Sequence, residues 1–519
     1  MRTLIWLLAL LSFASAQVNQ AVWRQQVIYL VMPDRFHNGN PANDRAGYAD
    51  CFDPRSPTKF HGGDWAGLRQ RVGYLRELGA TALWVTPAYR QIPRLEGSCG
   101  YHGYWPDFRL PDDGALEPKL GSAADLSALI RDLKSSNIRF ILDMVVNHAG
   151  YGARITAQRP DWFHRSPGCL NLGEPEVNCP LAGLPDFNQS APEAAQYLSR
   201  LSQGWARRLA LDGIRMDTAK HVPLAYWQDG WVPAINQASP GLFKVAEVFR
   251  EESAQDLKPY LEAGFDSAFN FPLRRALVGA FAKGGSVDLV AERVRQDLGI
   301  LGLERHLMLT SLLDNHDVPR FVNEPGLGVP EDEIRRRYHL ALAALFTLPG
   351  IPQLYYGNEL AMYGGPDPDN RRDMPGWAWR AATRNGVYPG QALPNPGRTF
   401  RFVQKLIGLR RASPALYEGA YVELWRHNSD PNPNVYAFLR SSGDSRLLVV
   451  INNGTLRSGG IAIPLKANPD LSEADRDALS DGAQLAELLG EGAPPSLRVR
   501  NGSVAVDLGG KTVGIYQVR

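Results

Sequence analysis

The chain has 519 residues, a formal net charge of only +2 and no long run of Lys or Arg. This balance argues against an electrostatic nucleic-acid binder, which needs a concentrated positive patch. The length is ample for a sizeable core and suggests two to four domains, or one barrel with appendages.

The N-terminus has the pattern of a signal peptide at residues 1–16: Arg2 supplies a positive charge, 4–13 an apolar stretch and 14–16 a small-residue cleavage site. A membrane anchor is the alternative, but spanning a bilayer takes about 20 apolar residues, more than this run supplies. No later apolar stretch is long enough for a membrane helix. We therefore expect cleavage after Ala16 and a secreted or periplasmic protein.

Short apolar runs typical of buried strands alternate with helical patterns along most of the chain. The strand patterns lie at 27–32, 82–85, 140–146, 213–216, 243–246 and 307–313. Helical spacing of apolar residues occurs between and after them, at 126–133, 197–209 and 330–348. Continuous apolar strands indicate a parallel sheet that is covered on its outside. The alternation favours an eight-stranded (β/α) barrel over a doubly wound sheet, although periodicity alone does not decide between them.

Two stretches depart from this alternation. A segment rich in Gly, Pro and Asn, roughly 148–190, follows the third strand pattern and is too long for an ordinary connection, so it is either functional or a small subdomain. From 416 onward, short β patterns separated by turns are typical of an antiparallel sandwich.

The four cysteines are Cys51, Cys99, Cys169 and Cys179, a number that fits two disulfides in an exported chain. Pairing Cys169 with Cys179 would close a short loop and leave Cys51 with Cys99, but the sequence allows three pairings. A zinc site is the alternative, although the spacings are not those of a zinc ribbon or knuckle.

Three acids, Asp217, Glu247 and Asp317, stand at or just beyond the ends of apolar strand patterns. In a parallel barrel all strand C-termini open onto one face, so these acids should converge there. A single acid in such a position is more often a helix cap or a surface carboxylate. That interpretation is weaker here, because three such acids occur together with Arg215 and two histidines.

Four segments resemble, in order, the signature regions of the α-amylase family, also called glycoside hydrolase family 13: DMVVNH (143–148), GIRMDTAKH (213–221), FKVAEV (243–248) and LLDNHD (312–317). Further family-like segments are YHGYW (101–105), LPDFN (184–188) and PGIPQLYYGNE (349–359). One region alone is a weak signal, whereas the ordered set is specific. The resemblance runs from about residue 27 to 411.

The resemblance implies a (β/α)8 TIM barrel with an inserted loop subdomain after strand 3 and a C-terminal antiparallel β-sandwich. We expect a signal peptide at 1–16 and a catalytic barrel at 17–148 and 188–413. The inserted domain B would be at 149–187 and the sandwich at 414–519. We also expect a monomer.

By resemblance, Asp217 is the nucleophile that attacks the anomeric carbon, and Glu247 is the general acid/base. Retention of configuration requires two such carboxyl groups about 5–5.5 Å apart, and their opposite roles require separated pKa values. Arg215 lies two residues before Asp217 and hence on the same strand face, where it would keep the nucleophile ionised, or form a structural ion pair. Asp317 resembles the third family acid, which grips sugar hydroxyls and favours the distorted ring.

The same resemblance implies further substrate contacts. His148 and His316 would hydrogen-bond sugar hydroxyls. Tyr104 would be the aromatic platform under the sugar, with His102 beside it. Lys220 and His221 would line the leaving-group side. Outside this context, an isolated His or Tyr is more often structural.

Calcium is the expected cofactor, because hard cations bind carboxylate, amide and carbonyl oxygens. The family's ligands where the barrel meets the inserted loop correspond to Asn147, Asp186 and the carbonyl of His221, and the ion there would be structural. A second site, which resembles a calcium loop of cyclodextrin glucanotransferases, would use the side chains of Asn38, Asn40, Asn43, Asp44 and Asp64 and a carbonyl near Gly62. The alternatives are a turn residue for Asn147, a loop cap for Asp186 and, for the whole second loop, an ordinary turn.

The implied activity is retaining hydrolysis of α-1,4-glucosidic bonds in starch, maltodextrins and related α-glucans. The alternative is a cyclomaltodextrinase-like or neopullulanase-like hydrolase, because DPDNRRDMP (367–375) is more similar to those enzymes. They usually carry an N-terminal sandwich for which the residues before 27 leave no room, and glucanotransferases usually carry extra C-terminal domains. A non-catalytic glycan-binding protein on the same fold is the alternative of another class, although such relatives typically lack one of the three acids.

Overall fold

The computed structural model describes residues 18–111, 114–165, 168–427 and 434–518. The signal peptide predicted at 1–16 lies outside the described residues. Within them, eight parallel strands form one sheet: β1 (Ile28–Val31), β2 (Ala82–Val85), β3 (Arg139–Met144), β4 (Gly213–Met216), β5 (Phe243–Ala246), β6 (Ser267–Ala268), β7 (Thr310–Leu312) and β8 (Ile351–Tyr355). Their order is β6-β5-β4-β3-β2-β1-β8-β7, so neighbours in sequence are also neighbours in space.

The sheet closes on itself where β6 meets β7. Phe269, just after β6, forms a parallel bridge with Thr310 of β7. The main-chain N–H of Asn270 donates to the Thr310 carbonyl (2.8 Å), and the hydroxyls of Ser267 and Thr310 lie 2.9 Å apart. Main-chain pairing therefore continues around the whole circumference, which confirms the predicted (β/α)8 TIM barrel.

Helices connect the strands and cover the outside of the barrel. The helices of the described residues are α1 (Gln20–Arg24), α2 (Pro33–Phe36), α3 (Trp65–Gln70), α4 (Val72–Leu78), α5 (Ala123–Ser135), α6 (Arg154–Gln158), α7 (Pro175–Asn178), α8 (Pro192–Leu209), α9 (Val232–Ala238), α10 (Lys258–Glu262), α11 (Phe271–Leu277), α12 (Asp288–His306), α13 (Glu331–Thr347), α14 (Pro396–Ala412), α15 (Pro414–Tyr417) and α16 (Glu473–Ala478). A π-helical segment, Val278–Ala282, extends α11. None of the helices described here is long and apolar enough to cross a bilayer.

Helix α5 illustrates how the sequence specifies these elements. The Ser122 hydroxyl accepts a hydrogen bond from the N–H of Asp125 (3.2 Å), and the Asp125 carboxylate accepts one from the N–H of Ser122 (2.9 Å). This reciprocal pair satisfies N–H groups that the first turn of a helix leaves without partners. The face that packs on the barrel is the one that the apolar spacing predicts, namely Leu126, Leu129, Ile130 and Leu133.

Between β3 and α8, the described residues (145–165 and 168–191) form only the short helices α6 and α7 and brief 3-10 turns. These helices have five and four residues, too few to give a helical period in the sequence. A disulfide joins Cys169 to Cys179 within this segment, and a second joins Cys51 to Cys99. Both pairings confirm the prediction.

After α15 the chain forms antiparallel strands: β9 (Ala420–His427), β10 (Val435–Ser442), β11 (Ser445–Asn452), β12 (Ile461–Pro464), β13 (Gln484–Glu487), β14 (Ser496–Arg500), β15 (Ser503–Val506) and β16 (Thr512–Val518). Their order is β12-β15-β14-β13-β16-β11-β10-β9. Alternate side chains point inward to a separate apolar core, in agreement with the predicted C-terminal β-sandwich.

Two fully buried arginines connect the barrel and the sandwich. Arg440 of β10 donates to the carbonyl of Thr347 at the end of α13 (2.6 Å). Arg410 of α14 donates to the carbonyl of Gly350, just before β8 (2.7 Å), and to that of Leu416 (2.9 Å). Because buried charges must be hydrogen-bonded, these donors hold the two bodies in a fixed relation.

Candidate active site

The three predicted acids converge on one face of the barrel, at the C-terminal ends of β4, β5 and β7. Arg215 contacts Asp217 (2.8 Å) and Glu247 through different nitrogens of its guanidinium group. Asp217, Glu247 and Asp317 all line one open cavity of about 550 Å³. A single cation therefore holds two carboxyl groups next to each other at the wall of a cleft.

Arg215 takes this position because of the strand register. Side chains alternate along a strand, so Arg215 and Asp217 of the β4 segment point to the same side, toward the barrel axis. Asp143 of β3 is the register partner of Arg215 and accepts a hydrogen bond from it (3.0 Å). Arg215 is fully buried, and the carboxyl groups of Asp143, Asp217 and Glu247 surround its guanidinium group.

The acids differ in their tendency to ionise. Burial raises the pKa of Glu247 to about 8, with Arg215 opposing this effect and the carboxylates of Asp217 and Asp317 reinforcing it. Burial also acts on Asp317, but the charges of His316, Arg371 and Arg215 outweigh it, and the pKa of Asp317 is lowered. At neutral pH the site therefore contains a protonated Glu247 beside an ionised Asp317, the kind of separation that assigns an acid its role.

Tyr104 is held rigidly in the cavity wall. Its ring stacks on His316, with centroids 5.2 Å apart and planes at 8°, and its hydroxyl donates to Asp143 (2.8 Å). The N–H of Tyr104 donates to Nδ1 of His102 (3.0 Å), and Nε2 of His148 lies 3.1 Å from the Tyr104 carbonyl oxygen. The structure thus brings together four of the predicted sugar-contact residues, with Tyr104 at their centre.

Lys220 and His221 line the same cavity. The Lys220 ammonium forms an ion pair with Glu176 (3.1 Å), and Nδ1 of His221 lies 2.8 Å from the Glu176 carbonyl oxygen. Glu176 belongs to α7 in the inserted segment, which therefore packs directly against the cleft. No sequence pattern indicates Glu176 as a site residue, because it lies more than 40 residues before Lys220 and belongs to no motif.

Arg371 and Asp367 are two further cavity residues that the sequence analysis did not single out. The Arg371 guanidinium contacts Asp317 (3.5 Å) and Asp367 (3.2 Å), and it donates to the carbonyl of His316 (2.9 Å). Both residues belong to the segment DPDNRRDMP, whose similarity to cyclomaltodextrinases and neopullulanases is the sequence signal for them.

The first predicted calcium position lies where the inserted segment returns to the barrel. The N–H of Phe187 donates to the Asn147 carbonyl (2.8 Å), which brings Asp186 beside Asn147. The Oδ1 atoms of Asn147 and Asp186 are both buried and accept no hydrogen bond. Buried oxygens without donors are suitable ligands for a hard cation, so these residues fit calcium. His221, whose carbonyl is the third predicted ligand, lies in the 3-10 turn Ala219–His221 after β4.

The residues of the second predicted calcium loop also lie close together, but Asp64 has another role there. Both Asp64 oxygens accept main-chain N–H groups, from the loop and from the first turn of α3, so Asp64 serves as a helix cap. The Oδ1 atoms of Asn38 and Asn43 are buried without a donor, whereas Asn40 accepts a loop N–H (3.3 Å) and Asp44 accepts from Asn38 (2.9 Å). Across the described part of the chain, no group of three or more His, Cys, Asp or Glu is placed to hold a metal ion.

A closed (β/α)8 barrel with two carboxyl groups held side by side at the C-terminal ends of its strands has the arrangement that glycoside hydrolases use. A family model described as alpha amylase, catalytic domain, matches residues 30–177 and 177–419. The chain belongs to the α-amylase family.

Named relatives agree with this assignment. The chain is 30% identical to a beta/alpha-amylase of Paenibacillus polymyxa over 95% of its own length, and it spans 38% of that protein. It is 30% identical to neopullulanase 2 of Thermoactinomyces vulgaris, covering 83% of this chain and 69% of the relative. The crystal structure of an Anoxybacillus α-amylase superposes with a TM-score of 0.79 at 28% identity, covering 96% of this chain and 98% of that one.

Proposed function

We propose that this chain is a retaining hydrolase of α-1,4-glucosidic bonds in starch, maltodextrins and related α-glucans. The observation that carries the proposal is the guanidinium of Arg215, which contacts both Asp217 and Glu247 at the wall of an open cavity. Retaining glycosidases need two carboxyl groups about 5–5.5 Å apart at one glycosidic bond. The amylase and neopullulanase names of the relatives support the substrate class.

In the proposed mechanism, Asp217 attacks the anomeric carbon while Glu247 gives its proton to the leaving oxygen, and a covalent glycosyl intermediate forms. Glu247 then takes a proton from water, which attacks the same carbon and releases the sugar with its original configuration. Arg215 stabilises the charge of Asp217, and Asp317, held by Arg371, binds hydroxyls of the distorted ring. The other proposed sugar contacts are His102, Tyr104, His148 and His316 at the cleaved bond, and Lys220 and His221 on the leaving-group side.

Cyclomaltodextrinase-like or neopullulanase-like hydrolysis is the second candidate. Two observations favour it: Asp367 and Arg371 of the DPDNRRDMP segment line the cavity, and neopullulanase 2 is among the relatives.

Parallel incubation with soluble starch, β-cyclodextrin and pullulan distinguishes the two candidates by their products. We expect reducing ends to appear about tenfold faster from starch than from the other two substrates, since subsite contacts commonly discriminate by such factors. His102, which we propose at the cleaved bond, and Lys220, which we propose on the leaving-group side, line the same open cavity. Faster hydrolysis of β-cyclodextrin or pullulan would favour the second candidate. No release from any of the three would refute an enzymatic function.

We also propose a structural calcium ion held by Asn147, Asp186 and the carbonyl of His221. The buried Oδ1 atoms of Asn147 and Asp186, which accept no hydrogen bond, support this site. The ion would fasten the inserted segment beside the cleft. A second ion in the loop of Asn38, Asn40, Asn43, Asp44 and Asp64 has weaker support, because the Asp64 carboxylate already caps α3.

Removal of calcium is expected to lower the melting temperature by about 5 °C or more, because a ligand bound only by the native state stabilises that state. The measurement is a thermal melt before and after thorough chelation, with recovery on adding back Ca²⁺ but not Mg²⁺. Asn147→Ala should have a lowered melting temperature even before chelation, and chelation should change it little. The same two measurements on Asn38→Ala test the ion proposed in the second loop. A melting curve that chelation leaves unchanged would remove the calcium proposal.

The proposal also covers the domain boundaries and the cellular compartment of the protein. We propose the barrel at 17–148 and 188–413, the inserted domain at 149–187 and the sandwich at 414–519, in line with the observed strands. Two disulfides fit an oxidising, extracytoplasmic compartment and support secretion. The monomeric state remains a prediction.

A further inference from the structure

A second cavity, of about 1290 Å³, lies beside the catalytic one on the same side of the barrel. Its walls are formed by the segments after β5 and β7, by α11 and its π-helical extension, by the start of α12 and by β9. Phe249, two residues after Glu247, lines both cavities, so they form a continuous surface. We call the second cavity the α11–α12 groove.

The groove has an amphipathic lining. Phe249, Val318, Pro319 and Leu289 supply apolar surface, and Leu289 has 48% of its surface exposed although it is a large hydrophobic residue. An exposed apolar side chain inside a concave surface is more informative than one on a convex surface, because binding sites are typically concave and partly apolar.

The charges of the groove compensate each other. Five basic and five acidic side chains line it. Arg274, for example, pairs with Glu251 (3.0 Å) and Glu324 (3.2 Å), and Arg275 pairs with Glu252 (3.0 Å). An anionic polymer would need uncompensated cations. The lining instead fits a neutral ligand that presents both apolar faces and many hydroxyl groups.

The groove is also preformed. Its α11–α12 turn is fastened by the sandwich: Asn453 donates to the carbonyl of Ala280 (2.9 Å), and Asn434 donates to that of Gly285 (2.9 Å) and accepts the N–H of Val287 (2.9 Å). Walls held in this way need little ordering when a ligand binds, which lowers the entropic cost of binding.

We propose that the α11–α12 groove binds the distal part of a long α-glucan chain that leaves the catalytic cavity past Phe249. This inference rests on the proposed function, because the ligand assigned to the groove is the distal part of the substrate whose other part occupies the cleft. Sugar rings have apolar C–H faces, which match the exposed side chain of Leu289. They also carry polar hydroxyls, which match the planar, ion-paired side chains of the lining. The groove would make long glucans better substrates than short ones.

The test compares Leu289→Ser with wild type on soluble amylose, a long chain, and on maltotetraose, whose four sugar units make it the short substrate. We expect kcat/KM for amylose to fall about fivefold, mainly through KM, since contact area is lost equally in ground and transition states. For maltotetraose we expect no change. Leu289→Trp, which restores an apolar face, should retain or raise the value for amylose.

Leu456→Ser is the matched control, because Leu456 is 55% exposed but does not line the groove. The melting temperatures of all variants should equal that of wild type. An unchanged ratio of amylose to maltotetraose activity in Leu289→Ser, while both substrates are hydrolysed, would overturn the groove and leave the proposed function intact. A wild type that hydrolyses neither substrate would refute the proposed function and this inference with it.

Discussion

Replacing Asp217 with Asn is expected to lower kcat on starch by about 10⁴-fold or more, as removal of a nucleophile does in other hydrolases. An amide has almost the shape of a carboxylate but cannot form the glycosyl ester. Arg215 keeps Asp143 and Glu247 as partners in this variant, so the fold should survive. The measurement is the release of reducing ends from soluble starch.

The matched control is Asp132→Asn, which makes the same chemical change in a surface ion pair with Arg69 (2.6 Å) far from the cavity. Exposed ion pairs contribute little to stability, so this variant should match wild type in both activity and melting temperature. An Asp217→Asn protein that keeps activity within tenfold of wild type would exclude Asp217 as the nucleophile.

Replacing Glu247 with Gln should lower kcat on starch by about 10²–10⁴-fold, the usual contribution of a general acid. The loss in the first chemical step should be much smaller for a 2,4-dinitrophenyl glycoside, whose leaving group departs without a proton. Single-turnover release of dinitrophenol measures that step directly. An equal loss on both substrates would argue that Glu247 has another role, such as positioning.

The pH profile gives an independent test of Glu247. Because burial raises the pKa of Glu247 to about 8, the acid is protonated at lower pH and loses its proton as the pH rises through that value. For wild type, kcat/KM should therefore fall on the alkaline side near pH 8, since this profile reports groups of the free enzyme. Glu247→Gln should lack this limb. A variant that retained it would assign the limb to another group.

Most of the barrel could be predicted from apolar runs. The strands β2, β4 and β5 begin and end at the residues that the sequence predicts, because each is a continuous buried stretch with polar residues after it. The predicted strand at 307–313 was too long, since Leu307 still caps α12 and only Thr310–Leu312 pairs.

The strands β6 and β8 could not be predicted in this way. Ser267–Ala268 has two residues, too few for any periodic signal, and only the closure of the barrel makes it a strand. Ile351–Tyr355 includes Pro352 and Gln353, which argue against a buried strand when the sequence is considered alone. Both elements depend on long-range pairing that no local pattern encodes.

The residues of the candidate site also fall into those that the sequence predicts and those that it does not. Its acids were predictable because strand ends in a barrel converge wherever they lie in sequence. The role of Asp64 as a helix cap was not, because a cap and a cation ligand require the same carboxylate. Glu176 and Arg371 reach the cavity from connections whose paths are set by tertiary packing, so their positions required the structure.

The junction of Arg440 with the barrel has a consequence for denaturation. Separating the sandwich from the barrel would break the hydrogen bond from Arg440 to the Thr347 carbonyl, and it would expose the apolar side chains of Phe438 and Val449, which pack in the same buried core as the barrel. Neither body can therefore melt first without a large penalty. Heat or urea should disassemble both in one cooperative transition, and a truncated barrel that ends before β9 should be insoluble rather than merely less active.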